Sequence, residues 1–238
     1  MQKVIVIGGT AGIGLATATL LASASYEVII TGRNQARMNA ALKGLRGNVK
    51  GVVVDAAERQ ALHKLFSEHG PIDHVVIAAA NHGGAMPFAD ITAEALDAGI
   101  EGKLRIHMLA AQAALPALVP QGSITFVSAV TAIAPIAGAS LLAAINGAIA
   151  SMVPVLAAEL APIRVNAVLP GVIDTAWWDW LPADARRQVL EGAAQNAPVG
   201  RVGTAEDVAG AITFLINNTF TTGVLLPCDG GSRLVTGK

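Results

Sequence analysis

The sequence predicts a doubly wound α/β fold, one domain in which helices cover both faces of a parallel sheet. Three observations carry that prediction. Short β-branched runs alternate with helical stretches along the whole chain. The runs are almost continuously apolar, the pattern of strands buried on both faces. The first run ends in a glycine-rich turn that leads straight into an apolar helix. Alternating strands and helices, joined by right-handed crossovers, give this architecture.

The strands are expected over residues 4–7, 28–31, 49–54, 74–78, 123–127, 164–168 and 224–226, and the helices over roughly 12–24, 34–45, 57–68, 101–119, 140–161 and 205–217. No linker, repeat or low-complexity stretch divides them, so residues 1–238 read as a single domain. After the first strand comes Gly8-Gly9-Thr10-Ala11-Gly12-Ile13-Gly14. Gly8 lets the chain turn off the strand, Gly12 lets backbone approach a pyrophosphate, and Gly14 lets the helix pack on the strand. The helix N-terminus then offers free N–H groups and a positive dipole end to phosphates. A glycine turn that binds nothing has the same composition. Its position between strand and helix is what favours a dinucleotide.

The second strand ends Thr31-Gly32-Arg33-Asn34, with no acid and one arginine. An acid there would hold the ribose 2′-hydroxyl of NAD(H), whereas a planar guanidinium pairs with a 2′-phosphate. Arg33 therefore favours NADP(H) over NAD(H), although a solvated arginine in a first helical turn looks the same. Asp55, ending the third strand, suits the adenine side of such a site or an N-cap for a helix starting near Ala57.

Composition excludes several classes. The 238 residues are 53% hydrophobic and 14% charged, too apolar for a disordered chain. A net charge of −1 offers no basic surface for nucleic acid. The single cysteine, Cys228, can form no internal disulfide, and His63, His69 and His74 lack metal-ligand spacing. The mean hydropathy of +0.55 raises the question of a membrane, since residues 108–158 carry no charge. Pro116, Pro120, Gly122, Pro135, Gly138, Asn146 and Pro154 punctuate that stretch, so it reads as buried helix, turn, strand, loop and helix. The N-terminus reaches glycine after four apolar residues, too few for a signal peptide, and a cytoplasmic location is expected.

The glycine turn at 8–14, Asp55, the segment Arg164-Val-Asn-Ala-Val-Leu-Pro-Gly-Val-Ile-Asp-Thr175, the segment from Pro198 to Ala209, and Thr222-Gly223 leading to Asp229-Gly-Gly231 together resemble the short-chain dehydrogenase/reductase family. The resemblance spans essentially the whole chain. It implies a Rossmann-type domain with a seven-stranded parallel sheet, a nicotinamide cofactor, a small-molecule substrate, and a homotetramer or homodimer. It places Gly8, Thr10, Gly12, Ile13, Gly14, Arg33, Asn34, Asp55 and Ala79 at the cofactor. Pro170, Gly171, Ile173 and Thr175 match the loop that holds the nicotinamide amide. A substrate loop is implied around residues 175–197.

The departures bear on mechanism. The family's catalytic unit is a Ser, then Tyr-x-x-x-Lys, with an Asn on the preceding long helix. Here the only tyrosine is Tyr26, beside the second strand. The family's Tyr position falls on Leu142, its Lys position on Asn146, its Ser position on Ala129 or Ser128, and its Asn position on Lys103. The usual Asn-Asn-Ala-Gly is Ile77-Ala-Ala-Ala80, followed by Asn81-His82. A positioned general acid contributes about 10²–10⁴ in rate. Positioning alone supplies ~7–11 kcal/mol. A site without tyrosine can therefore still be catalytic. Candidates for the missing donor are Lys103, Ser128 and His82, and Asn146 could keep the ribose hydrogen bonds. Lys103 reads equally as a lysine paired with Glu101 or Asp97, Ser128 as a satisfied strand hydroxyl, and His82 as a solvated loop residue. His107, one turn after Lys103, reads as packing or interface. Leu142, Trp177 and Trp178 are expected at the substrate pocket. The cluster Trp177-Trp178-Asp179-Trp180 suits an apolar lid or a subunit contact. The expected function is reduction of a carbonyl, imine or activated C=C bond. The alternative is a catalytically degenerate NADP(H)-binding or regulatory protein.

Overall fold

The computed structural model describes residues 1–81 and 83–235. Among these, seven parallel strands form one sheet: β1 (Lys3–Ile7), β2 (Glu27–Gly32), β3 (Val49–Val53), β4 (Ile72–Ile77), β5 (Leu118–Val127), β6 (Arg164–Pro170) and β7 (Leu225–Cys228). Their order is β3-β2-β1-β4-β5-β6-β7. The α-helices are α1 (Gly12–Ser23), α2 (Gln35–Gly44), α3 (Arg59–His69), α4 (Ala93–Gly99), α5 (Arg105–Ala114), α6 (Ser140–Glu159), α7 (Ala183–Asn196) and α8 (Ala205–Asn217). The doubly wound architecture read from the sequence is the one observed.

Strand periodicity divides the core in two. Successive side chains leave a strand on opposite faces. Val4 and Val6 of β1 thus join Leu21, Met38, Ile212 and Leu215 from α1, α2 and α8. Ile5 and Ile7 join Leu62, Phe66, Ala110 and Ile149 from α3, α5 and α6. A strand whose two faces are both core must be apolar at every position, hence the unbroken runs in the sequence. The strand order reverses between β1 and β4. In open α/β sheets, ligands bind at the carboxyl ends of strands beside such a switch point.

Four expectations need correction. The helix expected over 101–119 begins earlier, as α4, and reaches α5 through a π-helical turn, Ile100–Leu104; α5 itself ends at Ala114. Pro154 and Asn146, read as breaks, lie inside the continuous α6. The buried row Leu141, Ile145, Ile149 and Val153, spaced by four, holds that helix on the sheet, and Pro154 falls on its exposed side. The 175–197 region, read as a loop, contains the 14-residue α7. Asp55 does not cap α3, whose N-cap is Glu58. Its Oδ1 instead accepts from the Ala57 N–H at 3.0 Å. Among the described helices, α6 has the length and apolarity to cross a bilayer, but it packs against the sheet.

Tyr26 sits at the amino end of β2, opposite the ligand edge. Its hydroxyl donates to Asn217 Oδ1 at 2.6 Å, joining β2 to the end of α8. Close by, the buried Arg164 donates to the carbonyls of Leu215 (2.7 Å), Ile216 (2.9 Å) and Thr221 (3.3 Å). A cation there satisfies orphan carbonyls and the negative dipole end of α8. Arg164→Met strands those carbonyls in the interior, and thermal denaturation should show a loss of about 2–3 kcal/mol.

Candidate active site

The glycine turn has the geometry its spacing implied. Gly8 takes φ +84°, where a Cβ would meet Ala79 backbone at 2.7 Å. A Cβ on Gly14 would strike the Gly8 carbonyl, so the helix can sit this close to the strand end only as glycine. Gly12 takes φ +51°, facing Thr175 across the groove. Helix α1 starts with Ala11 at its N-cap, without a side-chain cap and without an acid in its first turn. Its leading N–H groups are therefore not capped by a side chain, which fits an anion. Thr10 lies over Gly32, where a Cβ would meet its side chain at 2.7 Å, and Ile13 packs beside the core.

At the end of β2, Asn34 caps α2, its Oδ1 accepting from the Arg37 N–H at 2.9 Å. Arg33 is exposed and pairs with no carboxylate among the described residues. One of its guanidinium nitrogens donates to Asn81 Oδ1 at 3.2 Å. The remaining donors of the fork are available to a phosphate. The donor set fits a dinucleotide carrying a 2′-phosphate: an uncapped helix end for the pyrophosphate and a free guanidinium where an acid would repel the extra charge.

Three of the expected catalytic residues meet at the carboxyl end of β5. Ser128, 3% exposed, donates its hydroxyl proton to the Asn146 carbonyl at 3.0 Å. The Asn146 amide donates to Thr131 Oγ1 (3.1 Å) and to the Leu142 carbonyl (2.9 Å). Both of its N–H groups are thereby occupied. Lys103 enters from the π-helical turn and donates from Nζ to the Ser128 carbonyl at 3.1 Å. Neither acid considered for it serves as partner: Glu101 pairs with Arg105 at 2.9 Å, and among the described residues no carboxylate lies within ion-pair reach of Lys103. Burial without a counter-charge pushes its pKa down to about 8. One turn on, His107 is fully buried, stacked on Phe126, with Nε2 donating to the Ala79 carbonyl at 3.1 Å. The packing role expected for it is the one found.

The extra residue of the π-helical turn aims Lys103 at this corner, and π-bulges are frequent at functional sites. The turn is kept close to the β4 loop by glycine: a Cβ on Gly102 would overlap the Asn81 amide, and the Asn81 N–H donates to the Gly102 carbonyl at 3.1 Å. The Leu142 side chain lies against Gly84, 3.2 Å from where a Cβ there would stand.

Beyond β6, Gly171 packs against Asp229, Ile173 bridges to Gly203, and Thr175 caps a short turn by accepting from the Trp177 N–H. The tryptophans stack edge to face, Trp177 on Trp178 at 4.7 Å and on Trp180 at 6.3 Å. The Trp178 indole donates to the Ile173 carbonyl at 2.9 Å, and the Trp177 indole reaches across to the Asn81 carbonyl at 3.0 Å. Arg186 of α7 braces this segment through Asp174 at 2.8 Å. His82, expected as a candidate donor, lies outside the described residues. Asn81 and Thr131 were not foreseen; each makes its contacts through folding of a loop, which leaves no periodic signal.

A family model described as Enoyl-(Acyl carrier protein) reductase matches residues 8–233. A protein named Short-chain dehydrogenase/reductase ATR9, from Stachybotrys chlorohalonatus, is 31% identical over 98% of this chain and 97% of its own length. The 3-oxoacyl-(acyl-carrier-protein) reductase of Bos taurus is 33% identical over 98% of this chain and 99% of its own. Among solved structures, a small-chain dehydrogenase in complex with NADPH superposes with a TM-score of 0.86 at 30% identity, covering 98% of this chain and 99% of that one. The MalC Reductase/Diels-Alderase of Malbranchea aurantiaca gives a TM-score of 0.89 at 28% identity over 98% and 96%.

Proposed function

Since the chain belongs to the short-chain dehydrogenase/reductase family, we propose that it is an NADP(H)-dependent oxidoreductase. Its reaction is reduction of a carbonyl, an imine or an activated C=C bond in a small apolar substrate, with Lys103 donating the proton. The observation that carries this reading is the count of unspent donors. Ser128 gives its proton to a backbone carbonyl and Asn146 has used both amide hydrogens, whereas the Lys103 ammonium has three donors and one acceptor.

When bound, NADPH supplies the hydride. The chain's own residues do the rest. The turn Gly8–Gly14 and the α1 N-terminus receive the pyrophosphate, Arg33 the 2′-phosphate, and Asp55 and Ala79 border the adenosine and ribose side. Pro170, Gly171, Ile173 and Thr175 hold the carboxamide. Lys103 delivers a proton from Nζ to the substrate oxygen, or to nitrogen when the substrate is an imine. Ser128 Oγ is left to accept a hydrogen bond. Leu142, Trp177 and Trp178 exclude water. The similarity to a structure holding NADPH supports the cofactor. We read residues 1–238 as one domain of a cytoplasmic homotetramer or homodimer. The uncharged 108–158 stretch, with Met108 and Val155 exposed, supports a buried contact between copies.

The second reading, a catalytically degenerate NADP(H)-binding or regulatory protein, is favoured by Leu142 and Asn146 standing where the family has Tyr and Lys. NADPH oxidation against a panel of ketones, quinones and imines separates the two. Turnover of at least one substrate is expected; micromolar NADPH binding with no turnover of any would leave the second reading standing. For the cofactor, Arg33→Ala should weaken NADPH about 10–100-fold in calorimetry and leave NADH nearly unchanged. Equal losses for both would reject the 2′-phosphate role.

A further inference from the structure

Asn81 lies outside the motifs and yet joins three parts of the site. Its side-chain Oδ1 accepts from Arg33 at 3.2 Å, its N–H donates to Gly102 beside Lys103 at 3.1 Å, and its carbonyl accepts from the Trp177 indole at 3.0 Å. Its amide also fills the space that a Cβ on Gly102 would need. The segments after β2, after β4 and after β6 are thereby joined through one residue. We infer that Asn81 is a positioning residue that couples recognition of the cofactor's 2′-phosphate at Arg33 to the seating of the Trp177 lid. The inference rests on the NADP(H) reading.

The physical basis is competition for the guanidinium. A neutral amide oxygen holds Arg33 in the structure. A phosphate takes the guanidinium in two parallel bonds between opposite charges, which a single bond to a neutral amide oxygen does not match. Phosphate binding draws Arg33 from Asn81 Oδ1 and leaves the amide, packed against Gly102, free to shift. The Asn81 peptide, which also carries the acceptor for Trp177, moves with it. Linkage makes the effect reciprocal, so a seated lid changes the affinity for the phosphate by the same factor.

All three tryptophans, Trp177, Trp178 and Trp180, lie in this lid, so intrinsic emission reports its state without a label. The probes are 2′,5′-ADP, which carries the phosphate but no nicotinamide, and 5′-AMP. In the parent protein, 2′,5′-ADP should bind more tightly in calorimetry and shift the emission, while 5′-AMP should leave the emission unchanged. Asn81→Ala should still bind 2′,5′-ADP, within about tenfold of the parent, but with silent tryptophans. Trp177→Phe, which keeps Trp178 and Trp180 as reporters, should also lose the response. Silent emission at saturating 2′,5′-ADP in the parent, with its preference over 5′-AMP intact, overturns the coupling and spares the NADP(H) reading. So does an emission shift that survives in Asn81→Ala. Equal affinity for the two nucleotides overturns the NADP(H) reading, and the coupling with it.

Discussion

Lys103→Met should abolish most turnover and make the protein more stable. The loss in kcat is that of a positioned general acid, about 10²–10⁴. The gain in stability comes from removing a cation held without a counter-charge. Lys103 titrates near 8 in the folded chain, against an ordinary value of 10.5, because burial disfavours its charged form. Below pH 8 both folded and unfolded chains carry the proton, and the full penalty is present. Between pH 8 and 10.5 the unfolded chain binds more protons, so the parent gains stability as pH rises through that window. The shift corresponds to roughly 3 kcal/mol at one pKa unit per 1.36 kcal/mol. Residual solvent access at the half-buried side chain reduces this to about 1–3 kcal/mol at pH 7. Urea denaturation at pH 7 and pH 9.5 measures both parts. The methionine variant should be more stable at pH 7, and the difference should shrink at pH 9.5.

The activity of the parent provides a third readout. In the reducing direction the donor must be protonated, so kcat should fall as pH rises through about 8. Lys103→Arg retains a cation that stays charged throughout that range, and its residual rate should lose this limb. Inactivity without a gain in stability would mean that the substitution merely damages the fold. A gain in stability with full turnover would move the proton donor elsewhere.

The sequence made the sheet legible because the inner strands, β1 above all, are core on both faces, and unbroken runs such as Ile5 to Ile7 have few other readings. It made the phosphate turn legible because Gly8, Gly12 and Gly14 each meet a steric demand that a side chain cannot. The catalytic corner was only half legible. The family resemblance put Asn146 and Lys103 at catalytic positions and Ser128 one residue before the serine position, but not the direction of their hydrogen bonds. The Asn146 amide, expected to be free for a ribose, is committed to Thr131 and Leu142. The π-helical turn that aims Lys103 spans only Ile100–Leu104, too short a stretch for periodicity to single out. Pro154, read as punctuation of the uncharged stretch, lies inside the helix expected over 140–161, because a buried row of four apolar side chains holds α6 through it.

Acid should unfold the protein through two histidines that the reaction does not use. His74 is 3% exposed, with Nδ1 2.9 Å from Ser123 Oγ. Burial pushes its pKa down to about 4, with Asp73 opposing and Arg164 assisting. His107 is pushed down to about 3 by burial and then by the charge of Lys103, against the opposing bond to Ala79. Its Nε2 carries the proton given to Ala79, and Nδ1 has no partner among the described residues. Both rings are neutral when folded and titrate near 6.5 when unfolded. The stability they contribute is complete above pH 6.5. It is lost as pH falls toward 4 for His74 and toward 3 for His107, at about 1.4 kcal/mol per pH unit for each. By pH 5 the two together cost about 4 kcal/mol, a large share of a typical domain's 5–15. His74→Asn and His107→Gln keep a hydrogen-bonding group but cannot titrate. Urea denaturation at pH 6.5 and pH 5 should show the drop in stability halved in either variant and nearly gone in the double variant, whatever each does to stability at pH 7. An unchanged drop in the double variant would assign acid sensitivity to the carboxylates instead. The two centres also touch, because Lys103 is one of the causes holding His107 neutral. In Lys103→Met the His107 pKa should rise, and its acid limb should end at a higher pH and cost less in total even though no histidine has been changed.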